Sequence, residues 1–284
     1  MGLFDGCLLA CDIDGTLLHN DCIPQNNIDK IKYFVNEGGK FCLATGRTAG
    51  AVSCVTDKLD CISPSIVANG SMIYDFSADR ALFELFVPES DRHIAKAVLD
   101  ACPTVGIEAH SGKQVLVLNE SNETKDHERY ENLAAFSLDY ESALRYNWNK
   151  IIYMFTNSDE SDTVKSIIGG ISHSSQFVDT SAIIDGRRRY YFEHVPKGVS
   201  KASTLKILGE MLGVCEGCLF AIGDYYNDLE MIKSADIGAA LADSPDEVKH
   251  AADVVVCDVQ SGAVADFINY LASIRKESKN GRSY

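Results

Sequence analysis

Asp12 and Asp14 stand two residues apart at the end of the apolar run Leu8-Leu9-Ala10-Cys11. Side chains alternate along a strand, so a strand here points both carboxylates to one side and Ile13 to the other. Carboxylates so placed can attack as nucleophiles, move protons or hold a divalent cation. Three more places set polar groups where an apolar strand ends or a helix begins. "FCLATGR" ends in Thr45, "LFAIGDYYND" supplies Asp224 and Asp228, and Lys201 opens the helix "SKASTLKIL" behind Ser200 as N-cap. In an open parallel sheet, ligands bind at the carboxyl ends of the strands, so these groups can converge on one crevice.

Each group alone also has an ordinary role. Asp-Gly-Thr is turn chemistry. Thr45 can cap a following helix, and Asp228 suits a first helical turn. Lys201 is harder to explain, because a cation in the first turn faces the positive end of the helix dipole at a cost of a few tenths of a kcal/mol. An anion beside it would remove that cost.

The elements that must position these groups alternate. Residues 7–13 predict a buried strand, and Asn27 to Glu37 a helix with Ile28, Ile31 and Val35 on one face, stopped by Gly38-Gly39. The strand "KFCLATGR", a helix over roughly 48–59, the strand "PSIVANG" and a hairpin turn at Asn69-Gly70 follow. This β-α-β-α-β order implies a parallel sheet with helices on its faces. Residues 82–192 instead mix strand-loop-strand runs with two or three helices, implying an α+β unit with an antiparallel sheet. One of its hairpins is predicted to turn at Asp185-Gly186. From about 197 the α/β pattern resumes. The chain therefore reads as a core domain of residues 1–81 and 193–284 with a second domain, 82–192, inserted into it.

Composition narrows the partners. The 284 residues carry a net charge of −15, which argues against nucleic acid and anionic membranes but not against a small anion met by a bound metal and local cations. No apolar run approaches the roughly 18 residues that span a bilayer. With no basic, apolar leader, a cytoplasmic location is expected. The ten cysteines mostly lie in apolar runs and are expected to be reduced. Cys215-Glu-Gly-Cys218 is a lone C-x-x-C without a second pair or a His-x-x-x-His partner, and is read as loop or core thiols. The seven histidines form no ligand pair, and Cys42 to Arg47 is one residue short of a cysteine-phosphatase loop. Arg187 to Arg189 reads as an exposed strand.

Taken as a set, the polar strand ends resemble the four motifs of the haloacid dehalogenase-like hydrolases, in their Cof-type branch. D-x-D-G-T stands as Asp12 to Thr16, and A-T-G-R as Ala44 to Arg47. The lysine after G-V-S is Lys201, and G-D-x-x-N-D is Gly223 to Asp228. Tyr225-Tyr226 stand where Gly-x is commoner, and Asp243 where Asn is. The resemblance covers nearly the whole chain. It implies an α/β, Rossmann-like parallel-sheet core with an inserted α/β cap of type IIB.

The implied activity is a Mg2+-dependent phosphatase of small phosphorylated metabolites, sugar phosphates first, with a phosphosugar mutase as the alternative. By the same resemblance Asp12 is the nucleophile, and Asp14 is the general acid and base whose backbone carbonyl also meets the metal. Asp12 and Asp224 hold Mg2+. Asp228 stands behind them, holding a metal-bound water or Lys201. Thr45, Gly46, Arg47, Lys201 and Asn227 hold phosphate. The residue types fit that chemistry. A carboxylate is already ionised at neutral pH. Its obstacle is charge repulsion, which phosphoryl transfer overcomes by positioning and neutralisation. Four aspartates against one lysine, with Arg47 as a possible second cation, call for a divalent cation. Substrate choice is expected in cap loops.

Overall fold

The computed structural model describes residues 2–20, 22–131, 133–184 and 187–279. The chain opens with β1 (Leu8–Cys11), α1 (Gln25–Asn36), β2 (Lys40–Leu43), α2 (Ser53–Thr56), β3 (Ser65–Val67), β4 (Met72–Asp75) and β5 (Arg80–Glu84). Then come α3 (His93–Ala101), β6 (Gly106–Ser111), β7 (Gln114–Asn119), α4 (Asn122–Glu131), β8 (Ala135–Ser137), α5 (Tyr140–Ala143) and β9 (Lys150–Phe155). They are followed by α6 (Ser158–Gly169), β10 (Gln176–Asp179), β11 (Ala182–Ile184) and β12 (Arg187–Val195). The last stretch holds α7 (Lys201–Met211), β13 (Leu219–Gly223), α8 (Leu229–Ser234), β14 (Ile237–Leu241), α9 (Asp246–Ala251), β15 (Val254–Val256) and α10 (Ala263–Lys279). Two units result: residues 1–46, 53–82 and 200–284 form one, and residues 47–52 with 83–199 form the other.

The first unit is built on a parallel sheet of order β15-β14-β13-β1-β2. All four residues of β1 are fully buried. A parallel strand is covered on both faces, which explains the unbroken apolar run in place of alternation. The chain leaves β1 for β2 on one side, while β13 pairs with its other side. The strand order therefore reverses at β1, and a crevice opens at the strand ends there. Helices α1 and α10 pack on each other, and the buried Asn27 accepts a 2.8 Å hydrogen bond from the Ala265 amide. The buried stripe of α1 is Asn27, Ile31 and Phe34, with Ile28 and Val35 on its flanks. That is one step round from the predicted apolar face, because a polar residue with a buried partner takes a core position.

The helix expected over 48–59 is instead a 3-10 turn, Ala49–Val52, and the single turn α2. Gly50 and several β-branched residues weaken helix propensity there. A Cβ on Gly50 would stand 2.5 Å from the Lys113 carbonyl, so packing rather than helicity sets the backbone. The hairpin at Asn69-Gly70 is present between β3 and β4, and Asn69 and Gly70 both take positive φ (54° and 101°).

The second unit holds a sheet of order β10-β12-β9-β6-β7-β8, with β11 paired to β12. Its pairs are antiparallel except β7-β8. The turn expected at Asp185-Gly186 lies outside the described residues. One face supplies Ile107, Ala109, Leu116, Ile151 and Tyr153 to a core shared with α3, α6 and Trp148. The other face carries Glu108, His110, Lys150 and Glu193, which are buried as well. Helix α4 packs on this face and fastens to it through His127. Its Nδ1 is 2.9 Å from Glu108 Oε2 and its Nε2 is 3.4 Å from Glu131 Oε1. Burial alone would discharge His127, but Glu131 and Glu108 outweigh it and push its pKa up to about 10. Lys150 meets Glu193 at 3.1 Å, and Arg189 pairs with Asp126 at 2.7 Å. The buried residues of α4 are Thr124 and His127, so the helix shows no apolar periodicity.

Trp148 is the only tryptophan and sits in this second core, so its fluorescence reports the state of that unit. Ile151→Ala is expected to lower the unfolding free energy followed by Trp148 emission in urea by about 2–5 kcal/mol. An unchanged midpoint would show that Ile151 is not part of a close-packed core.

Candidate active site

The register of the parallel sheet aligns the polar strand ends. Cys11 pairs with Ile222 on one side and with Leu43 on the other. Asp12 therefore falls beside Gly223, one residue before Asp224, and beside Ala44, one before Thr45. The Asp12 amide donates to the Ile222 carbonyl at 3.0 Å, which holds the residue in sheet geometry to the strand's last position. Beyond it the Ile13 carbonyl accepts from the amides of Leu17 (3.0 Å) and Leu18 (2.8 Å), closing the D-x-D-G-T loop on itself. Gly15 takes φ +82°, and a Cβ there would lie 2.5 Å from Asp224 Oδ2. Both facts require glycine at this position.

Lys201 stands at the first position of α7. Ser200 caps the helix, accepting from the Ser203 amide at 3.1 Å, while Ser203 Oγ accepts from the Ser200 amide at 2.9 Å. The Lys201 ammonium donates to Asp12 Oδ1 at 2.6 Å and to Asp228 Oδ1 at 2.7 Å. The three side chains are almost wholly withdrawn from solvent, at 1, 7 and 0% exposure. Burial works against the charge on Lys201, but Asp12 and Asp228 outweigh it and hold its pKa above the usual lysine value. The cost of a cation at a helix start is thus met by two carboxylates at hydrogen-bond distance.

Asp228 is itself fixed. Its Oδ2 accepts from the amides of Asp224 (3.2 Å) and Tyr225 (3.3 Å). A Cβ on Gly223 would lie 2.4 Å from the Asp228 Cβ, so only glycine lets Asp228 fold back under the strand end. Asp224 accepts a 2.7 Å hydrogen bond from Thr16 Oγ1. The motif reading treated Thr16 as part of a turn. Its hydroxyl instead aims one of the carboxylates, a role that its place in the loop could not disclose without the partner 208 residues away.

Asp12, Asp224 and Asp228 each offer an oxygen to one cluster whose atoms lie within 4.8 Å of one another. Close carboxylates repel, and each raises the proton affinity of its neighbours. Burial, then Asp228, pushes Asp12 well above the ordinary aspartate value, with Lys201 opposing. Burial, then Asp228, pushes Asp224 up to about 7, with the Thr16 hydroxyl opposing. An all-oxygen, charge-rich set of this kind fits a hard divalent cation such as Mg2+.

The remaining predicted residues fall as follows. Asp14 is half-buried on the loop, and Thr45 is buried at the end of β2. Thr45 is tied by its amide to the Ile66 carbonyl and by its carbonyl to the Asn69 amide, both at 3.0 Å. The Asn69 side chain lies against Gly46, where a Cβ would come within 3.1 Å of its Oδ1. Gly70 touches the start of α7, since a Cβ there would stand 2.3 Å from the Ser200 carbonyl. Asn227 is exposed, and so are the edge-to-face rings of Tyr225 and Tyr226. Arg47 groups with the second unit, where its buried guanidinium lies 5.9 Å from the Tyr130 ring centroid and 3.4 Å from the Ala51 carbonyl. The strand-end residues therefore split. Asp12, Lys201, Asp224 and Asp228 form one bonded group within the first unit, and Arg47 belongs to the second.

The fold and site define an α/β protein with a carboxylate–lysine cluster at the strand ends of its parallel core. The family is shown directly: the chain belongs to the haloacid dehalogenase-like hydrolases, whose family model matches residues 9–268. Among curated relatives, the 5-amino-6-(5-phospho-D-ribitylamino)uracil phosphatase YwtE of Bacillus subtilis is 25% identical, over 93% of this chain and 98% of its own length. A haloacid dehalogenase-like hydrolase from Bacteroides thetaiotaomicron superposes with a TM-score of 0.82 at 22% identity, covering 93% of this chain and 99% of the other. The subclass IIB sugar phosphatase BT4131 does so with a TM-score of 0.78 at 19% identity, covering 93% and 98%. At those identities the superpositions establish the fold. No helix among the described residues is long and apolar enough to cross a membrane.

The raised Asp224 value carries a signed expectation. A carboxylate whose folded pKa of about 7 exceeds its ordinary 3.8 destabilises the fold above pH 7, and that penalty fades as pH falls toward 4. In chelator, Asp224→Asn should therefore be more stable than the native chain at pH 8, with the advantage shrinking by pH 5. Excess Mg2+ should restore the native chain at pH 8. Parallel pH profiles in urea titrations of the two proteins would contradict the assignment.

Proposed function

We propose that this hydrolase is a Mg2+-dependent phosphatase of small phosphorylated metabolites that works through an aspartyl-phosphate on Asp12. The observation that carries the reading is the buried Lys201 ammonium, 2.6 Å from Asp12 and 2.7 Å from Asp228, beside the carboxylate of Asp224. Phosphatase names among the relatives support the phosphoester class. Sugar or polyol phosphates are the favoured substrates. One relative is named for a phosphorylated ribityl chain and one structural neighbour for sugar phosphates.

The Asp12 and Asp224 carboxylates and the Asp14 backbone carbonyl would hold Mg2+. Bound there, it would neutralise the phosphate and the carboxylates that face it. The rest falls to the chain's own groups. Asp12 attacks phosphorus as the ionised carboxylate, and Lys201 favours that form and fixes the oxygen that does not attack. Asp228 keeps Lys201 in place and is itself held by two amides, so the cluster is set before substrate arrives. Asp14 gives a proton to the leaving alcohol and later takes one from the hydrolytic water. Thr45 Oγ1 and the Gly46 amide hold phosphate oxygens, with Arg47 and Asn227 assigned to the same ligand.

Phosphate release from a panel of sugar, polyol and nucleoside phosphates with Mg2+ tests the proposal. Activity is expected to vanish after exhaustive chelation and to fall at least about a thousandfold in Asp12→Asn, equivalent to about 4 kcal/mol of transition-state stabilisation. Full activity under either condition would overturn the mechanism. Phosphate moved within the sugar, rather than released, would mark a mutase.

A further inference from the structure

The lone C-x-x-C lies in the link between α7 and β13, at the N-terminal end of the parallel strand whose other end leads to Asp224. The Cys218 amide donates to the Cys215 carbonyl at 3.1 Å and Gly217 takes φ +72°, so the two cysteines are the ends of a β-turn. Such a turn brings its end Cα atoms within about 7 Å, the range a disulfide spans. The two thiols are not equivalent. Cys215 is exposed, and Cys218 is buried. The Arg275 guanidinium donates to Cys218 Sγ at 3.3 Å and is anchored by its Nε on the Leu3 carbonyl at 2.8 Å. A cation on a sulfur is the partner that thiol–disulfide exchange uses. The Cys215 amide is held by the Gly6 carbonyl at 2.9 Å, and its Sγ would lie 2.4 Å from a Cβ on Gly6, so the absent side chain makes room for it. A third thiol, Cys7, is fully buried beside the pair. Burial, then Cys218, pushes its pKa up to about 12.

We propose that Cys215 and Cys218 form a redox-active dithiol that exchanges with low-molecular-weight disulfides. Cys215, as thiolate, attacks one sulfur of the disulfide RS–SR. The S–S bond breaks, and the first RS− leaves and takes up the proton that Cys215 gave up. Cys218 then attacks the Cys215 sulfur of the mixed disulfide and expels the second thiol, which takes the proton of Cys218. Two protein thiols are oxidised to one disulfide, and RS–SR is reduced to two RSH. The site lies at the N-terminal end of β13, whereas Asp224 follows its C-terminal end, so the exchange is separate from the hydrolytic machinery.

The reduced full-length protein is incubated with oxidised glutathione, alkylated and mapped by mass spectrometry. At this site the native chain is expected to lose both thiols and yield a Cys215–Cys218 linked peptide with no glutathione retained on either cysteine. Cys218→Ser is expected to stall with one glutathione on Cys215, and Cys215→Ser to leave Cys218 alkylatable. Cys22, the other exposed cysteine, serves as the internal reference for a thiol with no neighbouring cysteine in sequence. Phosphate release by Cys215→Ser, expected to match the native chain, reports that the variant is folded. The proposal fails if both cysteines remain alkylatable in glutathione disulfide. It fails equally if the native chain retains a stable adduct on Cys215, as a lone thiol such as Cys22 would.

Discussion

A buried ammonium held between two carboxylates organises the first unit of this protein. Lys201 touches Asp12 from the first motif and Asp228 from the fourth. Each of the three charges is expensive away from water, and each becomes tolerable only through the others. Removing the lysine would leave two aspartates facing one another. Removing either aspartate would leave the cation at a helix N-terminus with one carboxylate instead of two. The ion triad therefore ties β1, the loop after β13 and the start of α7 to one arrangement, and the glycines around it follow from that arrangement. Gly15 and Gly223 are the places where a Cβ would strike Asp224 or Asp228. Gly70 is where one would strike the chain entering α7.

The triad leaves an imbalance that has a use. Asp224 adds a further carboxylate, and burial with Asp228 raises its proton affinity to the neutral range. A site that holds its carboxylates this close stores repulsion that a bound cation relieves. Asp12 shares the effect: the proposed attack needs it ionised, while burial favours its protonated form. Lys201 opposes that tendency only in part. The proposed metal binding and the proposed nucleophile's ionisation thus rest on one electrostatic arrangement.

The second unit uses charge differently. Its sheet has an apolar face of familiar composition and a polar face that is just as buried. A protonated His127 joins α4 to that face through Glu108 and Glu131. Sequence periodicity could not find this helix. Its buried residues are a threonine and a histidine, so it carries no apolar stripe. The same blindness explains the one-step shift of the buried stripe in α1, where Asn27 occupies a core position through a hydrogen bond to Ala265. It also explains the 3-10 turn Ala49–Val52, where the backbone at Gly50 answers to a carbonyl of Lys113 rather than to helix propensity.

Local chemistry made much of the protein legible. Apolar runs ending in aspartate, threonine and G-D-Y-Y-N-D marked the strand ends of a parallel sheet, and β-α-β alternation broken by strand-loop-strand runs marked two units. The candidate nucleophile, lysine and metal carboxylates could be named because each motif is a few contiguous residues whose types already limit the chemistry. What the sequence could not decide depends on residues brought together from far apart. Thr16 aiming Asp224, Arg275 meeting Cys218 and Arg47 turning toward Tyr130 are contacts across long stretches of chain. Their partners are set by packing and burial, which no local pattern encodes. The sequence by itself determined which groups stand at the strand ends. The tertiary structure decided which of them share one low-dielectric space, and that proximity sets their charge.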